Sequence, residues 1–375
     1  MKEHFLDQDK IALFAFRNSQ KTFFLNILES CKDTNLHILS TKQAFMISFK
    51  AFKAFKNINL VPAYRFGIDE FYIKSGLKLP KLFVRAYFGF FSRLNFLRYY
   101  ALLDRGYTKM LLWNGGKFRQ LIALEVAKIL QIKVYFFENG LLPNTIVFDE
   151  KGINANNSVP RDIKFFEIYT SDISLPSTLV PRVGKNREIF KGKKQPLPAN
   201  YIFIPFQVDY DTQIISHSPW IKNMRMLFSV IEKIAQRSHY HFIFKEHPSS
   251  GIAYLDLHEK AKRYENISFR NTHTTQELIE RASTVITVNS TVGVEALLFH
   301  KKVIVLGDAF YGIEGITFLA QNEDDLLSKI EEIDTLSLDT VLIDNFLKYL
   351  YHDYLVPQND EMYQIFCHKM TKNRL

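Results

Sequence analysis

Cysteine is scarce in this sequence. Its two residues, Cys31 and Cys367, stand near opposite ends of a 375-residue chain, with no second cysteine nearby and no metal-ligand spacing. This pattern indicates neither a disulfide framework nor a zinc site. We therefore expect the protein to work in a reducing compartment.

Long uncharged apolar segments are also missing. The best candidate, residues 82–103, is interrupted by Arg85, Arg93 and Arg98, so it should not span a bilayer. The first residues, MKEHFLDQDKIALFAF, carry acids and bases before a short apolar run and lack a small-residue cleavage site. This is not the pattern of a signal peptide, so we expect a cytoplasmic protein.

Apolar residues are nevertheless abundant. They make up 47% of the chain, with 34 Phe and 18 Tyr, which is ample material for packed cores and excludes general disorder. The length favours two domains of ordinary size, with a cleft between them.

The formal net charge of +9 is partly concentrated where bases alternate with aromatics, in residues 49–57 and 82–103. The favoured interpretation is an amphipathic helical pair whose Phe and Tyr side chains face the core. The alternative is a surface for anionic lipid or an anionic glycan, with peripheral contact at the inner face of the cytoplasmic membrane. No RNP-like, helix-turn-helix or zinc-finger signature is present, so no nucleic-acid partner is expected.

Strands and helices alternate in both halves, which predicts α/β domains with parallel sheets. KMLLWNGG, KFRQLIALEVAKIL and KVYFFENG predict a βαβ unit, and residues 175–200 have the prolines and bases of a linker. The alternation restarts at YIFIPFQV and continues to KVIVLGD. We predict an N-terminal domain over residues 1–190, a Rossmann-like domain over 191–335, and C-terminal helices over 336–375 that pack back on the first domain.

Polar side chains follow four of the predicted strands. In open parallel sheets, ligands bind beyond the carboxyl ends of the strands, so these positions are candidates for a site. They are Glu138 in FFENGLLPN, Gln207, Asp209 and Asp211 in PFQVDYDTQ, Lys245 and His247 in FKEHPSS, and Ser290 and Thr291 in VNSTVG.

Two of these groups suit an anionic leaving group. Ser290 and Thr291 begin a predicted helix whose free N–H groups and two hydroxyls could hold a phosphate, although an ordinary helix cap is equally compatible. Lys245 and His247 are two residues apart and share a face in extended backbone, where one would neutralise a phosphate and the other donate a proton. A purely structural histidine is the alternative.

The acids suit covalent and proton-transfer chemistry. Asp209 or Asp211 could be a nucleophile or an electrostatic partner, or could simply cap the next helix. Partial burial of Glu138 at the mouth of a cleft could raise its pKa toward proton-transfer duty. The structural alternative for Glu138 is to accept backbone N–H bonds.

FFENGLLPNTIVFDEKGINANNSVPRD (residues 136–162), followed in order by PFQVDYDTQI, KEHP and NSTVGVEAL, resembles the capsule polysaccharide synthesis family of retaining β-Kdo glycosyltransferases. These are bacterial enzymes that use CMP-Kdo, where Kdo is 3-deoxy-D-manno-oct-2-ulosonic acid. The resemblance covers residues 108–307. The acid-Gly, His-Pro and Ser-Thr elements are also similar to those of bacterial sialyltransferases, which use CMP-sialic acid.

This resemblance implies two Rossmann-like α/β domains facing a cleft, a GT-B-like architecture, and double displacement without an obligatory metal. It implies Asp211 as the nucleophile, with Asp209 as the alternative, and Glu138 in proton transfer with the acceptor hydroxyl. The implied ligands of the CMP phosphate and ribose are Lys245, His247, Ser290, Thr291 and Glu295. The implied sugar-binding residues are Asn139, Gln207 and Arg161.

The expected partners are therefore a CMP-sugar donor and a saccharide or glycolipid acceptor, with polysaccharide assembly proteins as a further candidate. Three other functions stay open at this point: an inverting CMP-sialic acid transferase with Glu138 as general base, a nucleotide-sugar epimerase, and a non-catalytic scaffold of polysaccharide assembly.

Overall fold

The computed structural model describes residues 9–32, 34–44, 46–180 and 190–371. The chain forms two compact units, each built on its own sheet. The first unit comprises Met1–Gly140, Asn144–Ser158 and Leu355–Leu375, and the second comprises Leu141–Pro143 and Val159–Tyr354.

Six strands form each sheet within the described residues. In chain order the strands are β1 (Lys10–Ala15), β2 (Asn35–Ser40), β3 (Lys109–Trp113), β4 (Lys133–Asn139), β5 (Thr145–Asp149), β6 (Tyr201–Pro205), β7 (His241–Lys245), β8 (Ile267–Phe269), β9 (Thr284–Thr287), β10 (Lys302–Val305), β11 (Phe318–Leu319) and β12 (Leu355–Pro357).

The helices cover these sheets. They are α1 (Asn18–Ser30), α2 (Ala51–Ala54), α3 (Val61–Ser75), α4 (Lys81–Leu103), α5 (Phe118–Ile129), α6 (Ile163–Ile168), α7 (Thr212–His217), α8 (Met224–Ala235), α9 (Leu255–Ala261), α10 (Thr275–Arg281), α11 (Val292–Leu298), α12 (Glu323–Glu331), α13 (Thr340–Tyr349) and α14 (Met362–Thr371).

The sheet of the first unit has the order β12-β5-β4-β3-β1-β2. β3 and β4 pair in parallel through the crossover helix α5, which confirms the predicted βαβ unit. β5 then runs antiparallel to β4, so the chain turns back directly after Asn139. Glu138 therefore lies inside the last pairs of β4, opposite Val147, and not beyond the strand as expected.

The sheet of the second unit has the order β11-β10-β9-β6-β7-β8, and all of its neighbouring strands are parallel. This confirms the doubly wound alternation predicted from residue 201 onward. The chain builds outward from β6 to one edge and then from β9 to the other. The strand order thus reverses between β6 and β9, and such a reversal is where open α/β sheets leave room for a ligand.

Aromatic side chains dominate both cores. In the first unit Phe24, Phe137 and Phe366 are fully buried, and Phe137 contacts Phe366 edge-to-face at 4.9 Å. In the second unit Phe228 of α8 packs against Phe244 of β7, with 5.1 Å between the ring centres. The edge-to-face contact between Phe137 and Phe366 adds to the free energy gained by burying the rings.

The boundaries of the two compact units differ from the domain boundaries that we predicted from the sequence. Residues 159–180 and 336–354, which we placed outside the second domain, group with the second unit. The described parts of the predicted linker, 175–180 and 190–200, contain no α-helix or strand, whereas residues 181–189 lie outside the described residues.

The last segment of the chain returns to the first unit. Its expected helices are joined by the short strand β12, which pairs antiparallel with β5 and was not predicted. The final helix, α14, packs on α1, and a disulfide joins Cys31 to Cys367 with 5.6 Å between their Cα atoms. The expectation of unpaired cysteines was therefore wrong. The long separation of the two cysteines in the sequence did not indicate that α14 packs against α1.

The aromatic and basic helix α4 is packed along only part of its length. Phe96 and Leu102 are buried, as the favoured interpretation requires, whereas Leu82 and Phe83 at its start are 77% and 71% exposed. Among the described residues, no helix has the length and apolar character needed to cross a membrane.

Reduction of the disulfide should lower the thermal unfolding midpoint of the protein. A cross-link between α1 and α14 restricts the unfolded chain, and such bonds typically contribute about 2–4 kcal/mol. Calorimetry with and without dithiothreitol measures the shift, and peptide mapping without reductant should recover the Cys31–Cys367 pair.

The double variant Cys31→Ser/Cys367→Ser is the matched control, and its midpoint should be low and insensitive to reductant. Two titratable thiols in the unfolded, unreduced wild-type protein would show that the bond does not form.

Candidate functional site

Gln207 and Asn289 join the two strands at which the second sheet reverses its order. Gln207 follows β6 and donates from Nε2 to Asn289 Oδ1 at 2.9 Å, while its Oε1 accepts from the Asn289 backbone N–H at 3.2 Å. Asn289 follows β9, and both residues are buried. The amide of Gln207 thus holds the segments after β6 and β9 together. Its expected contact with a sugar stays a prediction.

Asn289 also holds α7 against the strand ends. Its Nδ2 donates to the carbonyls of Gln213 and His217, each at 2.9 Å, and its own carbonyl accepts from Gln213 Nε2 at 2.9 Å. A six-residue helix gains little stability from its own hydrogen bonds, so these contacts fix its position. Sequence reasoning missed Asn289, although it directly precedes the Ser-Thr pair.

The two aspartates after β6 occupy different environments. Asp209 is buried, and its carboxylate accepts from the Met224 backbone N–H at 2.7 Å and from the Tyr254 hydroxyl at 3.0 Å. Burial raises the pKa of Asp209, although both hydrogen bonds oppose the shift. Asp209 therefore fixes the starts of α8 and α9.

Asp211 is only partly buried and caps α7. Its Oδ1 accepts from the Gln213 N–H at 3.0 Å and from the Thr212 hydroxyl at 3.2 Å. Its Oδ2 accepts no hydrogen bond from the described part of the chain. One carboxylate oxygen is thus held in place while the other remains accessible.

His217, at the end of α7, is a second residue that sequence reasoning missed. Burial lowers the pKa of its imidazole, while the negative charges of Asp308 and Asp211 partly offset this effect. The lowered pKa favours the neutral imidazole near these two carboxylates. The ends of α7 could not be predicted from the sequence. The sequence therefore did not indicate that His217 lies near Asp211.

Lys245 lies beneath the surface at the end of β7. It is 9% exposed, and its Nζ donates to the carbonyls of Asn271 and His273 at 2.8 and 2.7 Å. Burial lowers the pKa of Lys245 to about 8, against a smaller opposing effect from Glu277. Lys245 thus ties the end of β7 to the segment that follows β8.

His247 lies two residues further along, in the loop after β7. Its Nδ1 accepts from the Ser249 backbone N–H at 3.1 Å, which places the proton of the neutral imidazole on Nε2. The neutral tautomer of His247 can therefore donate from Nε2. Glu246, between Lys245 and His247, is buried, and its carboxylate contacts His258 Nε2 at 2.8 Å.

The Ser290–Thr291 segment is held against Tyr311. The Tyr311 hydroxyl donates to the Ser290 carbonyl, and a Cβ on Gly293 would lie 2.5 Å from the Tyr311 ring, so only glycine fits there. The Ser290 hydroxyl accepts from the Val292 N–H at 3.2 Å. Glu295 is buried one turn into α11, and its charge adds to the effect of burial in raising the pKa of Tyr311.

Arg161 is exposed in the second unit. Its guanidinium lies 5.8 Å from the ring centre of Phe310, and Nη1 donates to the Val159 carbonyl. Phe310 follows β10 in the sequence. Its expected role with a carboxylate stays a prediction.

The first unit carries Glu138 and Asn139. Glu138 accepts from Asn114 Nδ2 at 2.7 Å and from the Asn139 backbone N–H at 2.9 Å, whereas the Asn139 side chain is exposed. Asn114 has a left-handed backbone (φ 71°) after β3, and the next residue, Gly115, lies where a Cβ would clash with Phe136 at 2.7 Å. Asn114 thus orients the Glu138 carboxylate and was not among the predicted residues.

No group of three or more His, Cys, Asp or Glu side chains that could hold a metal ion occurs in the described ranges. Metal independence stays a prediction.

The family model described as "Capsule polysaccharide biosynthesis protein" matches residues 108–178 and 177–357. The chain belongs to the capsule polysaccharide biosynthesis family. A protein of similar sequence is protein FixF of Sinorhizobium fredii (strain NBRC 101917 / NGR234), which is 32% identical over 307 residues that cover 78% of this chain and 74% of FixF. The predicted family is confirmed.

Two further proteins extend the comparison. The capsule polysaccharide export protein KpsS of Escherichia coli is 25% identical over 255 residues, which are 51% of this chain and 65% of KpsS. The solved structure of Thermosulfurimonas dismutans KpsC, a β-Kdo 2,7 transferase, covers 97% of this chain and 99% of its own with a TM-score of 0.50 and 14% identity. The fold match confirms the predicted GT-B-like α/β class.

The buried Lys245 should make stability depend on pH in a defined window. Its pKa is about 8 in the folded protein and near 10.5 when unfolded, so between these values the unfolded chain binds more protons. Stability should therefore rise from pH 8 to 10.5, by up to about 3 kcal/mol from this group, and should show no such dependence below pH 8.

The test compares thermal midpoints across this window for wild type and Lys245→Met, with the exposed Lys262→Met as the control. The difference between wild type and Lys245→Met should change with pH, whereas Lys262→Met should follow wild type. A parallel pH dependence in all three proteins would contradict the assigned pKa.

Proposed function

We propose that this protein is a retaining β-Kdo transferase that moves Kdo from CMP-Kdo to a saccharide or glycolipid acceptor in bacterial surface polysaccharide synthesis. Membership of the capsule polysaccharide biosynthesis family and the fold shared with the β-Kdo transferase KpsC support this proposal. A family and a fold do not determine chemistry, so the proposal depends on the site itself.

The contrast between Asp211 and Asp209 is the observation that carries the proposal. A nucleophile needs an accessible lone pair and a fixed position, and Asp211 combines a bonded Oδ1 with an Oδ2 that accepts no hydrogen bond from the described residues. Both oxygens of Asp209 are engaged and buried. Asp211 is therefore the better nucleophile of the two.

In the first displacement, Asp211 Oδ2 attacks the anomeric carbon of Kdo. The bond from that carbon to the CMP phosphate oxygen breaks, and the electron pair leaves with CMP. In the second displacement, the acceptor hydroxyl attacks the same carbon, the bond to Asp211 breaks, and the carboxylate is restored. Two inversions give net retention of configuration.

The CMP phosphate is held by groups at the ends of β7 and β9. His247 donates from Nε2, the hydroxyls of Ser290 and Thr291 supply further donors, and Lys245 contributes positive charge from below. The buried Glu295 binds the ribose hydroxyls. A lysine whose pKa is lowered to about 8 gains protonation when an anion approaches.

Glu138 receives the proton of the acceptor hydroxyl in the second displacement. The hydrogen bond from Asn114 orients its carboxylate for this role. Arg161 pairs with the carboxylate of Kdo, and Asn139 contacts the sugar hydroxyls. Gln207 contributes through Asn289, by keeping the two strand ends together.

A covalent intermediate on Asp211 is the decisive prediction. Wild-type protein mixed with CMP-Kdo and quenched in acid should show the mass of one added Kdo, located on Asp211 by peptide mapping. Asp211→Asn should show no adduct and should lose at least about 10³-fold in transfer rate, because it removes the nucleophile.

Asp256→Asn is the matched control, since Asp256 is an exposed partner of Arg225 and should keep full activity and adduct. Asp209→Asn should lower the thermal midpoint. Transfer without any adduct, and with inversion at the anomeric carbon, would support the inverting alternative.

CMP should stabilise the protein selectively. A ligand that binds only the folded state adds about 2.7 kcal/mol at a hundred times its dissociation constant, so CMP should raise the thermal midpoint while UMP and GMP should not. His247→Ala should lose most of this shift, and the exposed His239→Ala should keep it. Equal shifts with all three nucleotides would contradict a cytidylate site.

A further inference from the structure

The positive charge of the chain is concentrated in one segment of the first unit. Residues 34–103 contain eleven Lys and Arg against two acids, Asp69 and Glu70, a net charge of +9 that equals the formal net charge of the whole chain. The remainder is therefore formally neutral. Residues 71–103 contain no acid at all.

Exposed apolar side chains are concentrated in the same segment. Ten of the seventeen exposed large apolar side chains in the described chain lie within residues 46–90. Isolated exposed apolar residues are ordinary, but a contiguous group on a soluble domain marks a surface that binds something.

The densest group lies where α3 meets α4. Gly76 ends α3 in the left-handed conformation (φ 62°), and Pro80 precedes the first turn of α4. We call residues 74–90 the hairpin tip. Residues 74–83 are all exposed, and the apolar side chains of the tip with their exposures are Leu77 55%, Leu79 48%, Leu82 77%, Phe83 71%, Tyr87 55% and Phe90 62%.

The hairpin tip is anchored to the unit behind it. A Cβ on Gly67 of α3 would lie 2.5 Å from the Phe88 ring, so the two helices are in close contact there, and Phe88 packs edge-to-face on Phe118 of α5 at 5.1 Å. Leu82, Phe83, Tyr87 and Phe90 thus project from a helix that is packed against its neighbours, whereas Leu77 and Leu79 lie in the short loop between the two helices.

Basic side chains alternate with the apolar ones along the tip. Lys74, Lys78, Lys81 and Arg85 are exposed within the same stretch, and only Lys74 has an acidic neighbour on its own helix, Glu70 at 2.6 Å. Apolar side chains that project from a basic surface match the boundary between the acyl chains and the anionic headgroups of a bilayer.

A cavity beside the tip extends this apolar surface. It has a volume of about 660 Å³ and is walled by aromatic side chains of α3, α4 and α5, with Arg98 and Arg119 also in its lining. Phe83 and Tyr87 belong both to this wall and to the exposed tip.

We propose that the hairpin tip docks the protein on an anionic lipid bilayer, with Leu82 and Phe83 inserted among the acyl chains and Lys78, Lys81 and Arg85 at the headgroups. A second copy of this chain is a poor occupant, because two such tips would bring like charges together. The docking is separate from the proposed transferase chemistry, since it needs neither CMP-Kdo nor any residue of the candidate site.

The test is flotation of the purified full-length protein with phosphatidylcholine vesicles that contain or lack phosphatidylserine. Wild type should float with the anionic vesicles and should be released by high salt. Leu82→Ser/Phe83→Ser should reduce binding at least about tenfold, because two apolar side chains no longer leave water. Lys78→Gln/Lys81→Gln should reduce it by roughly tenfold or more on anionic vesicles.

Ile168→Ser/Leu255→Ser is the matched control. These two side chains are 81% and 65% exposed in the second unit, so the change removes similar apolar surface and should leave vesicle binding unchanged. All of the substituted side chains are exposed, and unchanged thermal midpoints would show that the variants fold.

Insertion is tested separately with Phe83→Trp, which should show a blue-shifted emission and quenching by brominated lipid on anionic vesicles. Vesicle binding that Leu82→Ser/Phe83→Ser leaves intact would overturn the proposal. It would also be overturned if the tip variants abolished self-association while vesicles did not bind, or if only monomeric short-chain lipid bound. If the wild-type protein binds anionic vesicles but shows no transferase activity, the proposed function alone is contradicted.

Discussion

The paired hydrogen bonds between Gln207 and Asn289 are the constraint on which the second unit depends. They join the backbone and side chains just beyond the carboxyl ends of β6 and β9, the neighbouring strands at which the strand order reverses. Asn289 then positions α7 through two backbone carbonyls. Because Asp211 caps the start of α7, the placement of the proposed nucleophile follows from an amide contact between buried side chains.

Buried and accessible polar groups have different roles around these strand ends. Asp209, Lys245 and Glu246 are buried and hydrogen-bonded to neighbouring helices and loops, so they fix the backbone beneath the strand ends. Asp211 and His247 remain partly accessible on that fixed frame. A polar group that is buried and bonded is costly to move, and this rigidity is what a reacting group needs beneath it.

The alternation of apolar strands and amphipathic helices was enough to predict β6 to β10 of the second sheet and the βαβ unit of the first, since these strands appear as short, mostly apolar runs between helical segments. The strands β5, β11 and β12 were not predicted. The strand ends also identified most of the candidate residues. What failed were the features that depend on contacts between distant parts of the chain. Neither the strand β12 nor the Cys31–Cys367 bond has a local signal, and a three-residue edge strand is too short to show a period.

The same limit applies within the site. Sequence placed Lys245 and His247 on one face, but the lysine bonds to two carbonyls after β8 and the extended geometry ends with β7. Asn114, His217 and Asn289 were missed because a single amide or imidazole carries no pattern until its partners are known. Residues that position other residues are therefore the hardest to predict from the sequence.

The return of β12 and α14 to the first sheet has a consequence for synthesis of the chain on the ribosome. The second unit is fully translated once Tyr354 has been added, whereas the first unit still lacks an edge strand and the helix that contributes Phe366 to its core. The first unit therefore cannot complete its sheet and its aromatic core before β12 and α14 have been synthesised, although most of its strands are made much earlier.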